Sequence, residues 1–112
     1  MVTIIESIET RGKFKELLST NTPLIVKASA PWCGPCKIIK PVFDEKIKNL
    51  GDNIVVYMLD VDEDEDVSSF LKITKLPTII SFVRGEKMDV FTGSDSNLLT
   101  HFFKKFEGHL AF

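Results

Sequence analysis

Apolar residues recur along the chain at two spacings, and each spacing predicts one kind of secondary structure. Short runs rich in β-branched residues, bounded by turn-forming residues, predict strands over residues 2–5, 24–29, 54–59, 78–83 and 87–92. Apolar residues three or four positions apart predict helices within residues 8–18, 36–50 and 67–72, and from residues 94–96 onwards. The predicted order is therefore β-α-β-α-β-α-β-β-α.

This order predicts an α/β fold in a single domain over residues 1–112. Strands joined by crossover helices run parallel, whereas the last two strands, separated by a turn at residues 84–86, form an antiparallel hairpin. We expect a three-layer α/β/α sandwich around one mixed sheet of five strands. No internal repeat or linker divides the chain, and 112 residues is an ordinary domain length.

The composition describes a globular chain and disfavours several classes of protein. Hydrophobic residues make up 44% and charged residues 27%, which is typical of a folded chain. The net charge of −2 disfavours a nucleic-acid-binding protein. The apolar runs are far shorter than the roughly 18 residues of a membrane helix, and the N-terminus does not resemble a secretory signal. We expect a cytoplasmic protein, unless a leader was removed, that contacts neither nucleic acid nor membrane.

The two cysteines, Cys33 and Cys36, are the strongest chemical signal. A disulfide between them closes a very short loop and adds little stability, which favours a chemical purpose over a structural one. Residues three apart in a helical turn have Cα atoms about 5–6 Å apart, within reach of a disulfide. Pro35 presets the φ angle of a first helical turn, and Gly34 leaves room for another backbone to approach.

The position of Cys33 at the start of a predicted helix makes it the candidate nucleophile. Unpaired N–H groups and the positive end of the helix dipole stabilise a thiolate there, and the thiolate is the attacking species. Cys33 would form a mixed disulfide with a partner. Cys36, one turn deeper, would then attack Cys33 and leave the oxidised pair.

Two other uses of the cysteines remain open at this point. Half of a zinc site would need two more ligands, and the only histidines are His101 and His109, in and just past the last predicted helix, unless two chains share the metal. Two inert buried thiols are the other use. Redox chemistry is favoured over both, because a Cys-x-x-Cys pair that follows a strand in a β-α-β pattern is typical of a redox motif.

The sequence Trp-Cys-Gly-Pro-Cys-Lys at residues 32–37 resembles the active-site motif of the thioredoxin family. The resemblance extends over nearly the whole chain. Pro41 is similar to the proline inside the family's active-site helix, and Leu-Pro-Thr at residues 76–78 is similar to its cis-proline loop. Residues 82–86 resemble the β-hairpin turn, and Gly93 resembles a glycine before the last helix. The resemblance implies the thioredoxin fold, with a five-stranded sheet and four helices.

The resemblance also implies a groove that binds disulfide-containing substrate proteins beside the cysteines. An extended partner segment would pair with the backbone at residue 76, and a cis Pro77 would pack against the sulfurs. Simpler interpretations are a strand-start proline for Pro77 and a packing aromatic for Trp32. The implied groove residues are Trp32, Gly34, Leu76, Pro77 and Gly93.

Three positions in the predicted central strands depart from the family pattern. Lys27 stands where family members usually have a buried aspartate, six residues ahead of the first cysteine, and Met58 stands where they usually have a lysine. Ser29 occupies a position where an aromatic residue is common. The carboxylate proposed to accept the proton of the second cysteine is therefore absent.

Lys27 has three possible roles. A charged Lys27 near the sulfurs would favour thiolates and make the disulfide more oxidising. A neutral Lys27 could instead accept the proton of Cys36. In the third interpretation, its long side chain reaches water and takes no part in the chemistry. A role in the chemistry predicts a reduction potential less negative than that of the Lys27→Asp variant.

An acidic run over residues 60–66 and a short C-terminal tail carry no clear chemistry. The run is predicted to be a solvated loop and helix cap, or alternatively a steering patch for a basic partner, which the salt dependence of the reduction rate would reveal. Residues 108–112 are expected to extend past the last helix, where Leu110 and Phe112 pack on the sheet or contact another subunit. The acids of the run are Asp60, Asp62, Glu63, Asp64, Glu65 and Asp66.

Together these features predict a monomeric thiol–disulfide oxidoreductase that acts mainly as a protein disulfide reductase. No bound cofactor or metal is expected, and the resemblance implies that electrons come from NADPH through thioredoxin reductase. The alternatives are a more oxidising, oxidase- or isomerase-like protein and a non-catalytic binding module on the same fold. A glutathione-dependent glutaredoxin is disfavoured, because the tyrosine usual between its cysteines is absent.

Overall fold

The structure is a computed structural model that describes residues 1–111. Five strands and four helices occur in the predicted order. In chain order they are β1 (Thr3–Ile5), α1 (Arg11–Ser19), β2 (Leu24–Ser29), α2 (Gly34–Lys48), β3 (Val55–Asp60), α3 (Glu65–Phe70), β4 (Thr78–Val83), β5 (Glu86–Thr92) and α4 (Ser96–Leu110).

The strands form one mixed sheet in the order β1-β3-β2-β4-β5. The first three strands in that order are parallel, and β4 and β5 each run antiparallel to the strand before them. Arg84 and Gly85 join β4 to β5 with φ angles of 54° and 78°, as a tight two-residue hairpin turn requires. The predicted five-stranded mixed sheet is confirmed.

Helices cover both faces of the sheet, which confirms the three-layer sandwich. Ile25 of β2 lies in the apolar cluster of α2 and α4, whereas its neighbours Leu24 and Val26 lie in the cluster of α1 and α3. Because successive side chains of a strand point to opposite faces, Lys27 lies on the face that α2 covers. Within residues 1–111, no helix is long and apolar enough to cross a membrane.

The C-terminal helix is longer than the sequence analysis predicts. It continues through Gly108 to Leu110, so the prediction that residues 108–112 extend past the last helix is wrong for residues 108–110. Leu110 is half-buried against the α2–α4 cluster, and its burial offsets the cost of about 1 kcal/mol for a glycine inside a helix. Phe112, for which we predicted packing or a subunit contact, lies outside the described residues.

Charged groups join the end of α4 to β5. Asp89 Oδ2 lies 2.9 Å from His109 Nε2, and Lys105 Nζ donates to Asp89 Oδ1 at 3.4 Å. Burial raises the pKa of Asp89, but the hydrogen bonds from His109 and Lys105 outweigh it and hold that pKa below its ordinary range. His109 thus lies in the last turn of the helix, not past its end as predicted.

Candidate active site

The cysteine pair lies where β2 gives way to α2. Cys33 is the N-cap residue of α2, with an extended backbone, and a disulfide joins it to Cys36 in the first turn. Their Cα atoms are 5.4 Å apart, as expected for residues three apart in a helical turn. The two cysteines are therefore not separate thiols. Within residues 1–111, no group of three or more His, Cys, Asp and Glu side chains could hold a metal ion.

The start of α2 surrounds Cys33 with positive potential. The backbone N–H of Cys36 donates to Cys33 Sγ at an N···S distance of 3.2 Å. Pro35, in the first turn, has no N–H and leaves a regular helix start. Both cysteines are almost fully buried, at 4% and 5% exposure, so residue exposure does not distinguish them. The amide and the helix end do, because both stabilise negative charge on Cys33.

Trp32 forms an exposed edge of the site and is held by the acidic run. Its side chain is 68% exposed, and its indole Nε1–H donates to Asp62 Oδ2 at 2.8 Å. Asp62 is thus more than a solvated charge, because it orients the aromatic residue next to Cys33. The sequence carries no signal for this contact, which depends on how the β3–α3 loop folds over the site.

The loop before β4 also packs against the cysteines. Leu76 packs against the small cluster that contains both cysteines, and the Leu76–Pro77 peptide bond is cis, as the resemblance implies. Pro77 itself is buried at the start of β4. Thr78 pairs with Thr92, so Gly93 follows β5 beside this loop, with a φ of 104° that favours glycine.

Lys27 is buried on the α2 face of the sheet. Its residue exposure is 3%, and Nζ lies 4.7 Å from the centre of the Phe43 ring, which stabilises a cation. Burial lowers the pKa of Lys27 below its ordinary value, nearby Asp44 opposes this shift, and the Lys40 charge adds to it. The residue is therefore largely enclosed, and it lines a pocket that Cys36 also lines.

A cavity of about 290 Å³ connects Lys27 to the redox pair. Cys36 and Lys27 both line it, together with Met58 and Asp60. Met58 is the register partner of Lys27 on β3, so the two departures from the family pattern lie side by side. The cavity gives Cys36 and Lys27 a common environment.

Asp64 shows that the acidic run is not uniformly solvated. The residue is only 3% exposed, and Tyr57 Oη donates to its Oδ2 at 2.6 Å while Ser7 Oγ donates to Oδ1 at 3.3 Å. It occupies the N-cap position of α3 without a side-chain cap hydrogen bond. The predicted solvated loop and cap is wrong for this residue, because two hydroxyl groups from other segments draw its carboxylate inward.

A family model for thioredoxin matches residues 6–105 of the chain. The chain belongs to the thioredoxin family. Thioredoxins are thiol–disulfide oxidoreductases, and this thioredoxin-family protein has the disulfide that such chemistry uses. Thiol–disulfide exchange is therefore its activity.

Relatives and solved structures agree with this membership. The thioredoxin of Malassezia sympodialis is 35% identical over 97 residues, which cover 85% of this chain and 91% of that protein. The thioredoxin of Equus caballus is 35% identical over 98 residues, covering 86% and 92%. The solution structure of oxidised thioredoxin from Plasmodium falciparum superposes with a TM-score of 0.75 at 31% identity, covering 95% of this chain and 98% of that one.

Two neighbours of the site in this thioredoxin-family protein were missed by the sequence analysis. In the sequence, Phe43 is one apolar residue of the helix predicted within residues 36–50, and Asp62 is one acid of the run over residues 60–66. Neither position signals its contact, because the partners Lys27 and Trp32 approach only when the loop and α2 pack on the sheet.

Proposed function

We propose that this thioredoxin-family protein reduces disulfides in other proteins, with Cys33 as nucleophile and Cys36 as resolving cysteine. The observation that supports these roles is the hydrogen bond from the Cys36 amide to Cys33 Sγ at the start of α2. In the reduced protein, the same amide and helix end stabilise a Cys33 thiolate. Pro35 and Gly34 support this turn.

The exchange has two steps. The Cys33 thiolate attacks one sulfur of the partner disulfide, forms a mixed disulfide and releases the partner's other sulfur as a thiolate. Cys36 then loses its proton and attacks Cys33, which releases the first partner sulfur and forms the Cys33–Cys36 disulfide. Two electrons pass to the partner, and the described state is the oxidised product.

Lys27 assists the second step from the cavity that it shares with Cys36. As an ammonium group it stabilises the Cys36 thiolate by charge, and as a neutral amine it accepts the Cys36 proton. Both forms favour loss of that proton. Burial lowers the pKa of Lys27, which favours the uncharged amine that can accept this proton.

The substrate groove of this proposal runs across the cysteine pair, where an extended segment pairs with the backbone at Leu76. The exposed Trp32, its contact with Asp62 and the packing of Leu76 against the cysteines support this location. The groove residues are Trp32, Gly34, Leu76, Pro77 and Gly93.

Electrons for a new cycle come from NADPH through thioredoxin reductase, and no cofactor needs to be bound to this protein. The protein acts as a monomer in the cytoplasm. Membership of the thioredoxin family supports thioredoxin reductase as the electron donor. It does not decide the compartment, because family members occupy several. One relative is named as a chloroplastic M-type thioredoxin of Spinacia oleracea. Reduction of a model protein disulfide, with thioredoxin reductase and NADPH compared against glutathione, tests the donor.

The decisive test of the roles traps the mixed disulfide. We expect Cys36→Ser to accumulate a covalent adduct through Cys33 with a disulfide-containing protein, because the resolving step is blocked. The Cys33→Ser variant is the matched control and should form no such adduct. Equal trapping by both variants, or adducts only through Cys36, would overturn the assignment.

The buried lysine favours a second candidate function, that of a more oxidising, oxidase- or isomerase-like protein. As an ammonium group, Lys27 stabilises the thiolate of the reduced pair, which makes the disulfide a stronger oxidant. The equilibrium reduction potential separates the candidates. A value near that of typical thioredoxins supports the reductase, and a markedly less negative value supports the oxidising alternative.

A further inference from the structure

A cationic groove lies on the α1–α3 face of the β4–β5 hairpin. It has a volume of about 240 Å³ and lies between this hairpin and the α3–β4 loop. Three lysines line it, Lys72, Lys75 and Lys87, and its lining contains no acidic side chain. In a chain with a net charge of −2, this is a local concentration of positive charge.

The charge of these lysines is not compensated within the protein. Lys72, Lys75 and Lys87 are all exposed, and in the part of the chain that the structure describes none of them forms an ion pair. Other lysines do, such as Lys40 with Asp44 at 2.5 Å. The groove therefore presents free cationic groups to a binding partner.

The floor of the groove leads to the proposed substrate site. The paired residues Thr78 and Thr92 both line the groove. Thr78 directly follows Pro77, and Thr92 directly precedes Gly93, so the groove begins where the substrate groove ends. An extended segment that crosses the cysteines and continues past Pro77 therefore comes next to the groove.

The loop that holds Trp32 carries the opposite charge to the groove. There, Asp62 holds the indole of Trp32, and Glu63 is a further exposed acid of the same loop. A substrate segment that spans the site thus meets acidic groups beside Trp32 and cationic groups beyond Pro77. An acidic substrate segment is therefore attracted by the lysines beyond Pro77 and repelled by the acids beside Trp32.

We propose that this groove binds an acidic segment of the substrate protein, so that disulfides flanked by Asp and Glu are reduced preferentially. The inference rests on the proposed reductase function and adds a substrate class to it. Lysine ammonium groups provide the charge, and Val90 with the threonine side chains provides contact for an extended backbone. Complementary charge of this kind acts mainly on the rate of association.

The test measures second-order rate constants for reduction of disulfide peptides by the reduced protein. Each peptide carries three Glu, three Ser or three Lys next to the disulfide, on its N-terminal or its C-terminal flank. We expect peptides with Glu on one flank to be reduced with a rate constant about tenfold higher than peptides with Lys on that flank, at low ionic strength. This difference should shrink as salt is added. Glu on the other flank, which faces the acidic loop, should give no advantage.

The matched variants carry the same change of net charge. In the groove variant, Lys72, Lys75 and Lys87 are replaced by Gln, and the Glu preference should be lost. In the control variant, Lys46, Lys48 and Lys104, on the C-terminal half of α2 and on α4, are replaced by Gln, and the preference should remain.

Failure of the inference and failure of the proposed function give different results. Equal rates for Glu and Lys peptides, or a preference that both variants retain, would overturn the cationic groove while leaving the reductase intact. Absence of reduction with every peptide would overturn the reductase proposal, and the groove proposal with it.

Discussion

Lys27 and Asp64 are each 3% exposed, but their surroundings differ. Asp64 accepts hydrogen bonds from the hydroxyl groups of Tyr57 and Ser7. Within residues 1–111, no hydrogen bond or ion pair involves Lys27, whose Nζ instead faces the ring of Phe43. One buried charged side chain has polar partners, and the other has an aromatic face and a cavity.

The difference is the basis for assigning Asp64 a structural role and for proposing a chemical role for Lys27. A buried polar group with hydrogen-bond partners stabilises the fold and loses that stabilisation when a partner is removed. A buried lysine without such partners lowers the stability of the folded protein. Its nitrogen can, however, interact with a reacting group. Because Lys27 shares a cavity with Cys36, we infer that its cost is linked to redox chemistry.

The largest effect is expected from Asp64→Ala. The substitution leaves the buried hydroxyl of Tyr57 without its acceptor, so the free energy of unfolding should fall by about 3 kcal/mol. Denaturant titration of the oxidised protein measures it. The reduction potential should not change, and a change in potential with unchanged stability would contradict a structural role.

A smaller loss of stability is expected from Tyr57→Phe. Burial and the hydrogen bond to Asp64 raise the pKa of Tyr57 above its ordinary range, so the hydroxyl stays a donor. Its removal should cost about 2 kcal/mol, since Asp64 keeps only the longer contact with Ser7. Combining both substitutions in a double-mutant cycle should give strong coupling, and additive losses would show that the bond contributes nothing.

Substitutions of Lys27 should act on the potential instead. Lys27→Asp places a carboxylate beside Cys36 and should make the potential more negative by about 30 mV, equivalent to about 1.4 kcal/mol. Lys27→Met is the matched uncharged variant. If Lys27 is a neutral amine, the potentials of this variant and the wild type should be equal. If Lys27 is an ammonium group, the potential of the variant should be more negative. Equal potentials of the wild type and Lys27→Asp would remove Lys27 from the mechanism.

The smallest effect is expected in the pH dependence of stability. Burial lowers the pKa of Lys27 below 10.5, so between the two values the unfolded chain binds more protons than the folded protein. The stability of the wild type relative to Lys27→Met should therefore rise as the pH approaches 10.5. Tyr57, whose raised pKa destabilises the fold above its ordinary value, contributes equally to both proteins and cancels.

A difference in stability that does not vary with pH would mean that Lys27 keeps its ordinary pKa in the folded protein. The comparison with Asp64 would then lose its basis, since both groups would be equally accommodated. Unfolding curves of the two proteins at several pH values between neutral and 10.5 supply the measurement.

The sequence by itself determined the order of the elements, the mixed sheet and the redox pair. Each depends on local information: strand and helix periodicities are written in neighbouring residues, and Cys33 and Cys36 lie within one helical turn. The resemblance to a known family also located the cis proline. The end of α4 was predicted wrongly, because Gly108 is a local signal to stop that the packing of Leu110 overrides.

Only the tertiary structure decided which of the buried charges has partners. Lys27 meets Phe43, and Asp64 meets Tyr57 and Ser7, through contacts between segments that are distant in the chain. No periodicity encodes such contacts, since they arise where separately predictable elements pack together. The chemical difference between the two groups is therefore a property of the packed sheet and helices, and not of either segment alone.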